Sequence, residues 1–183
     1  MKKFLVPVLV VSLIVIGGVT YVLLGQGRLF PVIKDFGVVF EVPAATERPD
    51  TTMDYKIVVD IGQKNEKPGE LYPPLEDVSR MYNLHVLGGV KQEKLDVAIA
   101  IWGEAIGVVM NNEVYKKKFG VDNPNLKAIA ELKQAGVKII GCGQSIKRLG
   151  YDPADVNPDV TVALSRFTAV STYEMKGYAY FKY

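Results

Sequence analysis

Gly136-Val137-Lys138-Ile139-Ile140-Gly141-Cys142-Gly143-Gln144-Ser145 is the stretch on which the fold turns. The short apolar run Val137 to Ile140 reads as a buried strand entered from a glycine. It leaves into a Gly-Cys-Gly turn, and Gln144-Ser145-Ile146-Lys147-Arg148-Leu149 reads as the first turns of a helix closed by Gly150. Cys142, the only cysteine of the chain, therefore stands where a strand ends and a helix begins, which is where α/β proteins place their ligand sites. A helix N-terminus presents N–H groups and partial positive charge, and both favour a thiolate over a thiol. Flanking glycines leave the sulfur sterically open. The competing reading is a small buried apolar residue, as most free cysteines are.

Working outward, the same strand-and-helix grammar repeats. Tyr55 to Ile61 is a β-branched strand, followed by a polar loop from Gly62 to Pro74. Leu75, Val78, Met81, Tyr82, His85 and Val86 recur at spacings of three and four, which predicts an amphipathic helix from about Pro74 to the Gly88-Gly89 stop. Leu95 to Trp102 is a second, almost continuously apolar strand, ending in Gly103-Glu104-Ala105. Runs this apolar imply a parallel sheet covered on both faces. Asn111 to Phe119 reads as a short basic helix whose Lys116 to Lys118 form a solvated face. Asn123 is placed as the cap and Pro124 as the first residue of a helix that runs to Gly136. Beyond the cysteine helix come a strand at Val160 to Ala163, a helix capped by Ser165 and running to Lys176, and a last strand at Tyr178 to Phe181. The order β-α-β-α-α-β-α-β-α-β predicts one three-layer α/β domain over residues 55–183, a mostly parallel sheet between helices.

The N-terminal third is different. After Met1-Lys2-Lys3, Phe4 to Leu24 carries no charge and is long enough to cross a bilayer at about twenty residues. Residues 1–25 read as a signal-anchor or a signal peptide; no Ala-x-Ala follows the long apolar core, which favours the uncleaved anchor. With Lys2 and Lys3 retained inside, the rest of the chain is expected on the periplasmic side of an inner membrane, or free there after cleavage. In such a compartment an unpaired thiol is unusual. Residues 26–54, with Pro31, Pro43 and Pro49, read as a tether carrying a possible short strand at Val38 to Val42.

Composition removes several classes of function. A net charge of +2, with Lys and Arg scattered, argues against nucleic acid as a partner. One cysteine excludes an internal disulfide and a thiolate-rich metal site, and one histidine argues against zinc held by imidazoles. No metal and no cofactor are expected.

Several segments in order, Asn83-Leu84-His85-Val86-Leu87-Gly88-Gly89-Val90, Phe119 to Leu126, Cys142-Gly143-Gln144-Ser145, Val162-Ala163-Leu164-Ser165 and Gly177-Tyr178-Ala179-Tyr180, resemble the DsrE/DsrF-like family, in its exported single-domain branch. The resemblance implies a YchN-like fold, flavodoxin-like in outline, and assembly as a homotrimer or homohexamer. It also implies that Cys142 carries sulfur as a persulfide, taking it from a donor protein and passing it to an acceptor, in the manner of a sulfurtransferase-like carrier. One departure stands out: relatives often end the second strand in His-Gly, where this chain has Trp102-Gly103-Glu104.

The expected pocket around Cys142 thus comprises Trp102, Gly103, Glu104, Gly143, Gln144, Ser145 and His85. Trp102 either walls that pocket or plugs a subunit interface. Glu104, if close to the sulfur, would raise the thiol pKa. His85 is otherwise a core or interface histidine, and Lys147 and Arg148 either add positive potential or face solvent. The alternative function is a non-catalytic oligomeric module that binds a small ligand or partner between Trp102 and Cys142. A redox-sensor thiol lacks a resolving cysteine in the same chain.

Overall fold

The computed structural model describes residues 14–16, 19–21 and 27–183. Of the bilayer-length run Phe4 to Leu24, only Ile14–Ile16 (β1) and Val19–Tyr21 (β2) are described, as an antiparallel pair. The rest of that run, and with it the anchor reading, lies outside the described residues. No helix among the described residues is long and apolar enough to cross a membrane.

Strand alternation sorts the main sheet into two unequal faces. Tyr55–Ile61 (β3), Leu95–Ile101 (β4) and Lys138–Cys142 (β5) turn Ile57, Val59, Ile61, Val97, Ile99, Ile101 and Ile139 toward one core. Their alternate residues Val58, Ala98 and Ile140 belong to a smaller second cluster with Ala169 and Tyr178. Val160–Ala163 (β6) and Ala179–Lys182 (β7) complete a five-stranded sheet of order β6-β5-β4-β3-β7, with all four pairings parallel.

The helices follow from that order. Pro73–Leu87 (α1), Asn112–Phe119 (α2), Leu126–Gln134 (α3) and Gly143–Arg148 (α4) connect strands that step one way across the sheet. Arg166–Met175 (α5) carries the chain back from β6 to the far edge at β7, and it packs over β3, β4, β5 and β6. Parallel crossovers are right-handed, so reversing the direction of travel puts α5 on the face opposite the other helices. Alanines at 98, 163 and 169 on that face let the helix lie close to the strands. The expected element order is observed, with ends shifted by a residue or two.

Two local readings change. The helix expected from Pro124 starts at Leu126, and Asn123 is not its cap. The Asn123 side-chain amide is buried and donates to Val108 O (3.0 Å) and Met110 O (2.9 Å), tying down the turn after β4. Within the expected tether, Leu29 and Val39 form an isolated antiparallel bridge, and Ile33 and Val39 are buried. Asn83 of α1 holds this strap. Its Oδ1 accepts from Val32 N–H and Ile33 N–H, and its amide donates to Ile33 O, Phe36 O and Gly37 O, all between 2.9 and 3.2 Å.

Candidate functional site

Cys142 ends β5 and is the residue from which α4 springs. The neighbouring strand β6, paired Cys142 to Ala163, sends its chain into α5 on the opposite face. Adjacent strands whose connections leave toward opposite faces open a crevice at their carboxyl ends, and this is the switch point of an open α/β sheet. The cysteine sits in that crevice between β5 and β6, with 5 % of its surface exposed.

Both helix N-termini converge on the sulfur. Arg166 N–H, from the first turn of α5, donates to Cys142 Sγ at 3.2 Å. The Gln144 and Ser145 amides of α4 and the Ser145 hydroxyl also act on it. The Ser145 Oγ accepts from Gly103 N–H at 2.9 Å, which leaves its own proton free for the sulfur. Burial pushes the Cys142 thiol up, and the hydrogen bonds from Ser145, Arg166 and Gln144 outweigh it, holding the thiol below its ordinary value of 9.0.

The crevice imposes its own sequence constraints. Gly103 has φ +57°, a region that L side chains avoid, and this turn aims its N–H at Ser145. A Cβ on Gly143 would stand 2.7 Å from Ala163 O, so only glycine lets the two chains leave their strands side by side.

Beside the sulfur lies a cluster that sequence reasoning missed. Asp60, on β3 and fully buried, pairs with Arg166 through three contacts, two from Nε at 3.2 Å and one from Nη2 at 2.9 Å. The Tyr180 hydroxyl donates to the same carboxylate at 2.7 Å. The guanidinium lies 4.5 Å from the Trp102 ring centroid and 4.7 Å from that of Phe167. One signal for this cluster was present: an aspartate within the otherwise apolar Ile57-Val58-Val59-Asp60-Ile61 needs a buried partner. Arg166, after the Ser165 cap, carried no signal of its own.

The expected pocket residues therefore divide. Gly103, Gly143 and Ser145 gather with Cys142, Trp102 joins them through the Arg166 guanidinium on its ring, and Gln144 contributes its backbone amide while its side chain is exposed. Glu104 is exposed, lines a different cavity with Lys64 and Tyr151, and is not among the groups that act on the thiol. His85 does not join the site. It bonds Met81 O at 2.8 Å and meets the Tyr55 ring edge-on at 4.8 Å, at the start of β3, whereas Cys142 lies at the carboxyl end of a parallel strand. Helical spacing put His85 on the inner face of α1 but could not say which end of the sheet it reaches. Lys147 and Arg148 are exposed. Among the described residues, no group of three or more His, Cys, Asp or Glu side chains could hold a metal ion.

The thiol's environment has a measurable consequence for stability. Folding lowers the pKa of Cys142, so the folded state holds fewer protons than the unfolded state between the two pKa values. The resulting stabilisation is complete above the ordinary thiol value of 9.0 and is lost as pH falls through the folded value. The stability difference between the natural chain and Cys142→Ser is expected to grow as pH rises through that window, read by urea unfolding at successive pH values. A pH-independent difference would show that the sulfur titrates alike in both states.

Comparison with known proteins bears on the family and the fold. The model of the DsrE/DsrF-like family matches residues 36–183. A solved protein of unknown function from Methanobacterium thermoautotrophicum (MTH1491) superposes with a TM-score of 0.52 at 19% identity, over 71% of this chain and 100% of that one. Another, from Bacteroides thetaiotaomicron (BT1422), gives 0.43 at 17% identity, over 69% of this chain and 94% of that one. No curated protein matches.

Proposed function

The chain belongs to the DsrE/DsrF-like family, and from that premise we propose that it carries sulfur on Cys142 within a relay. The observation that supports this most is the convergence of two helix N-termini on one thiol. A sulfur carrier needs its cysteine as thiolate, because the thiolate is the nucleophile. In the transfer, the Cys142 thiolate attacks the outer sulfur of a donor persulfide, R–S–SH. A new S–S bond forms on Cys142 as the donor's S–S bond breaks, the proton stays on the transferred sulfur, and R–S⁻ leaves. No outside oxidant is needed. The donor amides and Arg166 that favour the thiolate equally favour the low-pKa persulfide anion that follows.

Limited exposure of Cys142 suits delivery by a docked protein. Leu164 and Phe167, flanking the crevice and each more than 70% exposed, offer such a partner an apolar foothold. Assembly as a homotrimer or homohexamer belongs to the same proposal. So does display of the domain on the periplasmic side, anchored through residues 4–24 or released after cleavage.

Incubation of the purified protein with polysulfide, followed by intact-mass measurement, is expected to add the mass of one sulfur atom, reversed by dithiothreitol. Cys142→Ser abolishes the addition. Absence of the adduct under conditions that load an established persulfide carrier would sink the proposal.

A further inference from the structure

The main sheet has two edges, and they are not equally closed. On β6 the Val160 N–H is already taken by Asn157 O at 2.9 Å, and the chain just ahead is tied to Met110 through Val156. On β7 the direction of every backbone group follows from one bond, Tyr183 N–H donating to Asp60 O at 3.0 Å. The N–H and C=O of a strand residue share a side, and the side alternates along the strand. Ala179 and Phe181 therefore face β3, while Tyr180 and Lys182 present their backbone groups outward. All four residues of β7 are exposed. The strand runs in unbroken register with β3 and contains no proline, so neither a bulge nor a missing donor blunts this edge.

The side chains determine what fits there. Pairing of Val58 with Tyr180 and of Asp60 with Lys182 puts Tyr180 and Lys182 on the face that carries α5, and Phe181, beside Val59, on the other. For a second copy of β7 lying antiparallel, a register centred on Lys182 sets like charges directly opposite. One centred on Tyr180 calls on Tyr178, which is buried. The register centred on Phe181 uses both outward residues. Tyr180 then meets the partner's Lys182 and Lys182 meets the partner's Tyr180, each pair exchanging both backbone hydrogen bonds. The Phe181 ring, 47% exposed, meets the partner's Phe181 across the non-hydrogen-bonded pair, where side chains stand closest. Charge agrees with this register. Glu174 of α5 acts on the Tyr180 hydroxyl, so the partner's Lys182, opposite Tyr180, is brought toward a carboxylate. Neither Glu174 nor Lys182 forms an ion pair among the described residues.

We infer that β7 pairs with β7 of a second copy about a two-fold axis through Phe181, joining two five-stranded sheets into one. The contact does not rest on the sulfur-carrier reading. Within the assembly proposed above it selects the homohexamer, because a closed trimer contains no two-fold axis.

Disulfide trapping in the full chain carrying Cys142→Ser is the direct test. Phe181→Cys puts two sulfurs on a pair whose Cα atoms stand about 4.5 Å apart, within disulfide reach, so oxidation by diamide is expected to give a covalent dimer. Lys182→Cys lies diagonally from its copy, beyond that reach, and stays single on a non-reducing gel. Lys182→Pro removes only an outward N–H, so it is expected to weaken self-association about tenfold while the thermal transition stays in place. Native mass spectrometry of the natural chain in mild detergent is expected to show an even number of copies. Absence of the trapped dimer, equal trapping at positions 181 and 182, unchanged association in Lys182→Pro, or a natural chain that is only monomer or trimer would each overturn the inference. Sulfur loading of Cys142 uses none of these groups, so its outcome leaves this result unchanged.

Discussion

Arg166→Met lowers the unfolding free energy by about 3–5 kcal/mol, the range for breaking a buried ion pair by removing one partner. The carboxylate left behind explains the size of the loss. Asp60 is fully buried, and without Arg166 it keeps only the Tyr180 hydroxyl as a side-chain donor. A surface ion pair would contribute at most about 1 kcal/mol, so the result discriminates clearly. For a domain of this size the loss lowers Tm by about 10 °C. Asp60→Asn in the same chain is expected to restore most of it, because the uncompensated charge disappears while Tyr180 keeps an acceptor. The Met variant also retains the Arg166 backbone N–H. Its thiol pKa, read from the pH dependence of iodoacetamide alkylation, therefore rises through the loss of the guanidinium charge and not through the loss of that hydrogen bond. Stability within 1 kcal/mol of the natural chain would show that the pair is solvated in solution.

Asn83→Leu is the second large effect. The side chain spends its whole hydrogen-bonding capacity on residues 32–37, and leucine of similar volume replaces none of the five bonds. At about 1 kcal/mol each, with buried backbone groups left unpaired, a loss of about 3–5 kcal/mol is expected. The damage falls first on the strap, whose remaining ties to the domain are Lys34 N–H and Asp35 N–H donating to Glu131 Oε2 and Gly37 N–H donating to Glu76 Oε1. Limited proteolysis is expected to cut between residues 29 and 39 in the variant, before the rest of the domain opens. An uncut strap together with an unchanged Tm would mean that apolar packing alone retains it.

Much of the fold was legible because it rests on local pattern. The apolar runs at Ile57, Leu95 and Val137, the three-and-four spacing of Leu75 to Val86, and the glycine stops at 88, 136 and 177 mark elements without reference to anything distant. The strap was not legible: Pro31 and the mixed charges around it look like a linker, and one asparagine fifty residues away decides otherwise. Asn123 misled for a related reason. Asparagine before proline is a good helix start, but tertiary demand from the carbonyls of Val108 and Met110 claimed its amide.

For the site the division is sharper. The sequence by itself determined that Cys142 stands at a strand end between two glycines, ahead of a helix, because those properties depend on neighbours along the chain. Only the tertiary structure decided that β6 leaves for the opposite face beside it, bringing the N-terminus of α5 and the Arg166 side chain to the sulfur. It also decided that Asp60, more than a hundred residues from Arg166, is that side chain's partner. The physical reason is the sheet. Parallel strands gather their carboxyl ends from far apart in the sequence, and which ends become neighbours depends on strand order, which no local pattern encodes.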